Sequence, residues 1–300
     1  MTLSDFLRNI YVPSRPDLSA SGIYQFEVTI RRFQDWTGRP VNIEELTDEM
    51  VCSFLAARQQ AGSSAPTVNS NRSKLLSLWN CAWRKRLHHD QPRDVPRRRE
   101  PQRTPSAWTK EEVARLVDYS FCLNGTVDGL QRRYWWPSLI LVIWDTSARV
   151  GSIRQAAPKQ CDLSEGWIHL RAEEQKQNAD QLFRLQELTT RTIRHIYDAS
   201  RPLVWPWPYC RRQLWVHFRR LIEGAGLTAG KGKDLFHKLR RSSLSYVAAH
   251  DLELARQQAG HSTSRLTLRH YVDPRIAQQR SAVDVLPKLN LSSDRQLRLF

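Results

Sequence analysis

Apolar residues at the start of the chain recur at helical spacing. Between Ser21 and Trp36, the residues Ile23, Phe26, Ile30 and Phe33 fall three or four apart, which gathers them on one helix face. Gly38 and Pro40 follow where that helix must stop. A second helix is predicted from Thr47, with Asp48 and Glu49 against the positive end of its dipole, Val51, Phe54 and Leu55 on one face, and an end near Gly62. A third carries Val68, Leu75, Leu76, Trp79 and Trp83 inward, with Arg72, Lys74, Arg84, Lys85 and Arg86 facing out. Residues 1–88 therefore read as a small, basic, helical domain.

The periodicity then breaks. Residues 89–105 lie in the stretch HHDQPRDVPRRREPQRTP, where four prolines remove helix donors and arginine dominates the charge. This is the expected linker, extended by its prolines, with arginines placed to track phosphates. A second domain is expected over residues 106–290, followed by a tail at 291–300. Thr109 and Glu112 make a capping box ahead of Val113, Leu116 and Val117. The run WWPSLILVIWDTSARVGSIR reads as a buried helix, a turn and another helix. Strands are predicted at Trp167–Leu170 and Gln181–Leu185, with the polar segment RAEEQKQNAD as the tip of their hairpin. Helices return around Leu214–Ile222, His237–Ala249, Leu252–Ala259 and Ser264–Tyr271. The expected fold class is mainly α with a small β-sheet.

Charge changes what this architecture is for. Lysine and arginine number 46 against 30 acidic residues, a net charge of +16, and the isoelectric point is near 10.1. That balance implies a polyanionic partner and is the footprint of a nucleic-acid binder. No run reaches the ~18 apolar residues of a membrane span and the first residues lack a signal peptide's apolar core, so no membrane partner and a cytoplasmic, nucleoid-associated location are expected. Five widely spaced cysteines outside any C-x-x-C pair suggest neither a disulfide framework nor a zinc site. Trp205 and Trp207, flanked by prolines, are expected to pack in the core rather than stack on bases. The glycines of GAGLTAGKGKD do not meet phosphate-loop spacing.

Exchange of phosphodiesters without an external energy source needs a nucleophile that keeps the bond energy in a covalent intermediate. It also needs cations on the non-bridging oxygens and an acid for the leaving hydroxyl. The segment DTSARVGSIRQAAPKQCDL resembles the first conserved box of the tyrosine recombinases, the phage-integrase family, in which a T-G-x-R-x-x-E-like turn places an arginine. HKLRRSSLSY resembles their second box, H-x-L-R-H, and AGHSTSRLTLRHYVD resembles the stretch bearing a third-box histidine and then the tyrosine. Arg149, His237, Arg240, His261 and Tyr271 fall on those positions, and Lys176 falls on the hairpin tip that carries the family's lysine, with Lys159 and Arg171 as neighbouring competitors. The chain departs from the pattern at Ser147 and Ser152, where glycine and an acid are common, at Arg241 in place of a second histidine, and in the spacing of Tyr271, ten residues past His261.

The resemblance implies a helical core-binding domain followed by an α+β catalytic domain, and a site-specific recombinase acting by integration, excision or resolution. Tyr271 would attack phosphorus to leave a 3′-phosphotyrosyl bond, Arg149 and Arg240 would hold the phosphate, Lys176 would protonate the leaving hydroxyl, and His237 and His261 would assist. It implies double-stranded DNA as partner, a homotetramer on two DNA sites, and neither metal nor nucleotide cofactor. The segment bearing Val283, Val285, Leu286 and Leu289 is expected to dock on a neighbouring protomer. Alternative readings are a type IB topoisomerase and a catalytically silent DNA-binding relative, the latter suggested by Ser152 and the shifted tyrosine.

Overall fold

In the computed structural model, which describes residues 1–175, 177–229, 235–277 and 286, the chain divides into two units, Met1–Gln102 and Arg103–Phe300. The first unit opens with α1 (Leu3–Phe6), which runs into a π-helical turn at Leu7–Tyr11. Sequence periodicity did not mark this element, which is only a few residues long, yet Leu3, Phe6 and Leu7 are fully buried. Helix α2 (Ala20–Thr37) starts where Ser19 accepts the Gly22 amide and stops at Gly38, whose φ of 70° few other residues adopt cheaply. Helix α3 (Asp48–Gln60) is capped by Thr47 as expected, and α4 (Ala65–Arg84) completes the unit. Their apolar faces meet around Ile30, Phe33, Phe54, Leu75 and Trp79, with the Phe33 and Phe54 rings edge-on at 5.0 Å. Each such side chain contributes about 1.5–3 kcal/mol by leaving water. Trp83 departs from the expectation: at the last turn of α4 it has outrun the core and is exposed.

The proline-rich run has no regular structure, but it is a strap on the helical unit rather than a free spacer. Val95 is buried in the helical core. Asp48 accepts the amides of Arg93 and Asp94, Arg72 donates to the Val95 carbonyl at 2.6 Å, and Asn69 exchanges bonds with the main chain of Arg98 at 2.8 and 2.9 Å. Proline removes ladder donors, so side chains of α3 and α4 supply the partners that an extended backbone needs. Arg72 is therefore engaged with the strap and does not face outward.

The second unit begins with α5 (Lys110–Phe121), where both bonds of the Thr109–Glu112 capping box form. A short hairpin, β1 (Thr126–Val127) and β2 (Leu130–Gln131), turns through Asp128 and Gly129, both at positive φ. Helix α6 (Arg132–Thr146) is buried on almost every side, and after the short α7 (Val150–Ile153) come β3 (Cys161–Asp162), β4 (Trp167–Leu170) and β5 (Gln181–Arg184). These strands form an antiparallel sheet in that order, with Ile168 opposite Phe183. Helices α8 (Glu187–Arg194), α9 (Arg211–Gly224), α10 (Leu235–His250), α11 (Leu252–Ala259), α12 (Ser264–Tyr271) and α13 (Pro274–Ala277) follow. The core is rich in tryptophan: Trp135, Trp136, Trp205 and Trp207 pack together, and the Trp205 indole donates to Ser138 Oγ at 3.0 Å. The fold is mainly α with small antiparallel sheets, as the patterning predicts. No described helix is long and apolar enough to cross a membrane. Of the tail residues expected to dock, Leu286 is exposed, while Val283, Val285 and Leu289 lie outside the described residues.

Candidate active site

The pocket is assembled from the end of α6, the hairpin between β4 and β5, and helices α10 to α12. Helix α6 ends at Ser147, a buried residue held at φ 51°, the left-handed conformation for which glycine is the ordinary choice. Its hydroxyl contacts Ser243 Oγ at 2.7 Å and accepts from Gln258 Nε2 at 3.0 Å, so a tertiary network holds a conformation that sequence alone disfavours. Two residues on, Arg149 stands at the N-cap of α7 and donates from Nη1 to Gln177 Oε1 at 2.7 Å.

Arg240 lies on α10 and is almost completely buried, 2% exposed. It donates to the carbonyls of Ser147 and Ala259, the latter at 2.8 Å, and lies 3.4 Å from His261 Nε2. Among the described residues no acceptor reaches its Nε, and no carboxylate neighbours it. Burial, then the nearby charge of Arg149, lowers its pKa to about 10, against the adjacent Tyr271, which works the other way.

His261 follows Gly260, whose φ of 64° closes α11. Arginine has donors only, so His261 Nε2 faces Arg240 as an acceptor, which leaves Nδ1 to donate to Thr267 Oγ1 at 3.0 Å. Burial first, then Arg240, Arg149 and His270, push the imidazole down to about 4, so it is neutral at pH 7. Tyr271 closes α12, half-buried against Leu244, Ala255 and Ala259. Its ring lies 4.6 Å from that of His261, with the Arg240 guanidinium carbon 5.1 Å from its centroid. His270 is exposed, so with the ten-residue spacing it is Tyr271 that reaches the pocket.

The structure thus brings Arg149, Arg240, His261 and Tyr271 together. His237 is exposed in the first turn of α10, one turn before Arg240 on the same helix. Lys176 lies outside the described residues, whereas its competitor Lys159 lines a separate cleft with Trp167, His169 and Tyr197. Sequence reasoning missed Gln177, Ser243, Gln258 and Asp273. Ser243 is one helical turn beyond Arg240, a spacing that offered a signal; the glutamines, drawn from separate elements, offered none. Asp273 is fully buried, accepting from the Ala107 amide at 2.9 Å and from Arg275, and Ser245 Oγ accepts the Asp273 amide at 2.8 Å. These bonds fix the chain just after the tyrosine.

This architecture, a helical unit followed by an α+β unit, is the fold of the solved tyrosine recombinases. No family model and no curated protein matches the sequence. Among solved structures, a lambda integrase dimer bound to a COC′ core site is similar at TM-score 0.67 and 16% identity, over 97% of this chain and 81% of that one. The Tn1549 transposon integrase in complex with a circular intermediate DNA aligns at TM-score 0.68 and 12% identity, over 94% of this chain and 100% of that one. The XerH site-specific recombinase bound to a palindromic difH substrate aligns at TM-score 0.65 and 18% identity, over 82% and 74%. The likeness at these identities is one of fold.

Proposed function

We propose that the chain is a site-specific DNA recombinase that breaks and rejoins strands through a 3′-phosphotyrosyl intermediate, by integration, excision or resolution. The observation that carries this reading is the pair of guanidinium groups, Arg149 and a buried Arg240, beside the Tyr271 phenol, with no acidic neighbour to balance Arg240 among the described residues. A buried cation without a counter-ion costs stability, and a backbone phosphate is an anion with two free oxygens for two planar forks.

In the reaction, the Tyr271 oxygen attacks phosphorus; its bond to phosphorus forms as the bond to the 5′-oxygen breaks. Arg149 and Arg240 take the charge that grows on the non-bridging oxygens. The phenolic proton passes to His261, whose Nε2 is an acceptor in the free pocket and whose basicity rises once a phosphate offsets the arginine charges. Lys176 protonates the departing 5′-oxygen, and His237 hydrogen-bonds the phosphate. The ester conserves the energy of the broken bond, so a second strand's 5′-hydroxyl reverses the step. The basic surface, at a net charge of +16, supplies phosphate contacts on double-stranded DNA, and four copies act on two sites. The lambda integrase tetramer bound to a Holliday junction has this fold and supports such an assembly.

The test uses a duplex selected from a random-sequence pool by binding to the full chain, then nicked so that the cleaved fragment diffuses away. The wild-type chain is expected to give a denaturation-resistant adduct on the peptide bearing Tyr271, and Tyr271→Phe none. An adduct on another residue, or none with the wild type, overturns the proposal.

A further inference from the structure

Arg149 and Arg240 serve one pocket but are aimed by different means. Main-chain carbonyls, fixed by the fold, hold Arg240. Arg149 is held by a side chain, Gln177, at 2.7 Å. The residue that stands where an acid would brace this turn, Ser152, is buried and brings no charge.

The orientation of the Gln177 amide is fixed by its surroundings. Arginine only donates, so Oε1 must face Arg149, and Nε2 then donates to Gln175 Oε1 at 2.9 Å and Gln181 Oε1 at 2.7 Å. Those two glutamines are fixed in turn, because their own Nε2 atoms face carbonyls: Ala179 at 3.1 Å for Gln175, and Gln257 at 3.2 Å for Gln181. Gln258 carries the network on, donating to the Asp145 carbonyl at 2.9 Å and to Ser147 Oγ. Gly260 completes the site by leaving room: a Cβ there would lie 2.4 Å from Gln177 Nε2. The hairpin, the turn after α6 and the end of α11 thus meet through amides.

We infer that Gln177 is the positioning residue that aims Arg149 at the scissile phosphate, replacing a carboxylate brace with a neutral amide. The choice of an amide has a consequence. A carboxylate would accept from the guanidinium but cancel its charge and set its second oxygen against the Gln175 and Gln181 oxygens, whereas the amide donates to both and leaves both cations of the pocket available to the phosphate. The inference rests on the recombinase reading, since it takes Arg149 to be a phosphate ligand.

Single-turnover cleavage of the same nicked duplex, measured across DNA concentrations, separates aim from charge. Gln177→Leu keeps the side chain's bulk without the acceptor and is expected to lower the maximal rate roughly 10- to 100-fold, with the half-saturating DNA concentration little changed. Gln177→Glu keeps an acceptor for Arg149 but turns an oxygen onto those of Gln175 and Gln181, so it is expected to recover part of the rate while raising the half-saturating concentration, because the pocket has lost a net charge. If Gln177→Leu fails to fold, Gln177→Asn, whose amide falls one methylene short, takes its place with the same expected loss of rate. In an Arg149→Ala background, Gln177→Leu is expected to add no further loss. Wild-type rates in the leucine variant, or a further loss from Gln177→Leu in the Arg149→Ala background, overturn the inference. A wild-type chain that forms no adduct sinks the recombinase reading instead, so the two failures are told apart.

Discussion

Two buried charges of the second unit lie close to the same tyrosine, Asp273 two residues beyond Tyr271 and Arg240 with its guanidinium carbon 5.1 Å from the Tyr271 ring, and they are treated in opposite ways. Asp273 is fully buried, but the Arg275 side chain, the Arg275 amide and the Ala107 amide all converge on it. Burial pushes its carboxyl up, and these donors outweigh burial and hold it below the usual carboxylate range. Arg240 is almost as deeply buried and has carbonyls, a histidine and another arginine around it, with no acid among the described residues. The first charge is satisfied by the fold; for the second, the described residues supply no counter-charge. Burial of a charge therefore marks a site only when its complement is missing, and a site of structural stability when the complement is present.

The sharpest way to break this contrast is to remove each charge in turn. Arg240→Met is expected to lower cleavage of the nicked duplex by roughly 10³-fold while moving stability by no more than about 1 kcal/mol in urea denaturation, since losing an unbalanced buried cation offsets the lost hydrogen bonds. A large loss of stability in that variant would make Arg240 a structural residue. Asp273→Ala is expected to do the reverse in emphasis, destabilising the second unit by about 2 kcal/mol because the Ala107 amide is stranded without an acceptor. Denaturant midpoints unchanged by that substitution would remove the distinction.

The smallest effect sharpens the contrast through pH. Burial and the neighbouring Arg240 push the folded His261 imidazole down to about 4, against an ordinary 6.5. Between these values the unfolded chain binds the proton that the folded chain refuses, so the contribution of His261 is complete above pH 6.5 and declines as pH falls toward 4. A His261→Gln variant is expected to lose that part of the slope in urea midpoints measured from pH 7 to pH 5. Curves that fall in parallel for the two chains would refute it.

How much of this was legible in the sequence depended on distance along the chain. Helices α2, α3 and α4, the Thr109 cap and the strands at Trp167 and Gln181 follow from spacing and capping within a few residues, and each formed. The Asp128–Gly129 turn obeys the same local logic and was overlooked, although its residues are those a tight hairpin requires. What local reading could not supply was partnership across the fold. The strap is held by Asp48, Asn69 and Arg72, more than twenty residues away, so its prolines read as a linker when its hydrogen bonds make it part of the first unit. The motif order brought out the arginines, His261 and Tyr271, but not Gln177 or Ser243, whose roles come from bonds made at sequence separations of 28 and 96 residues.

The pinned strap also sets the length of the leash. Its last anchored residue is Glu100, bonded to Asn69, and the second unit takes hold at Ser106, whose carbonyl accepts from Arg241. Only residues 101–105 lie between these anchors. At ~3.5 Å per residue, fully extended, they pay out less than roughly 20 Å. Losing the Asn69 and Arg72 bonds would free the run back to Val95, so two side chains of α4 decide how much of it is slack.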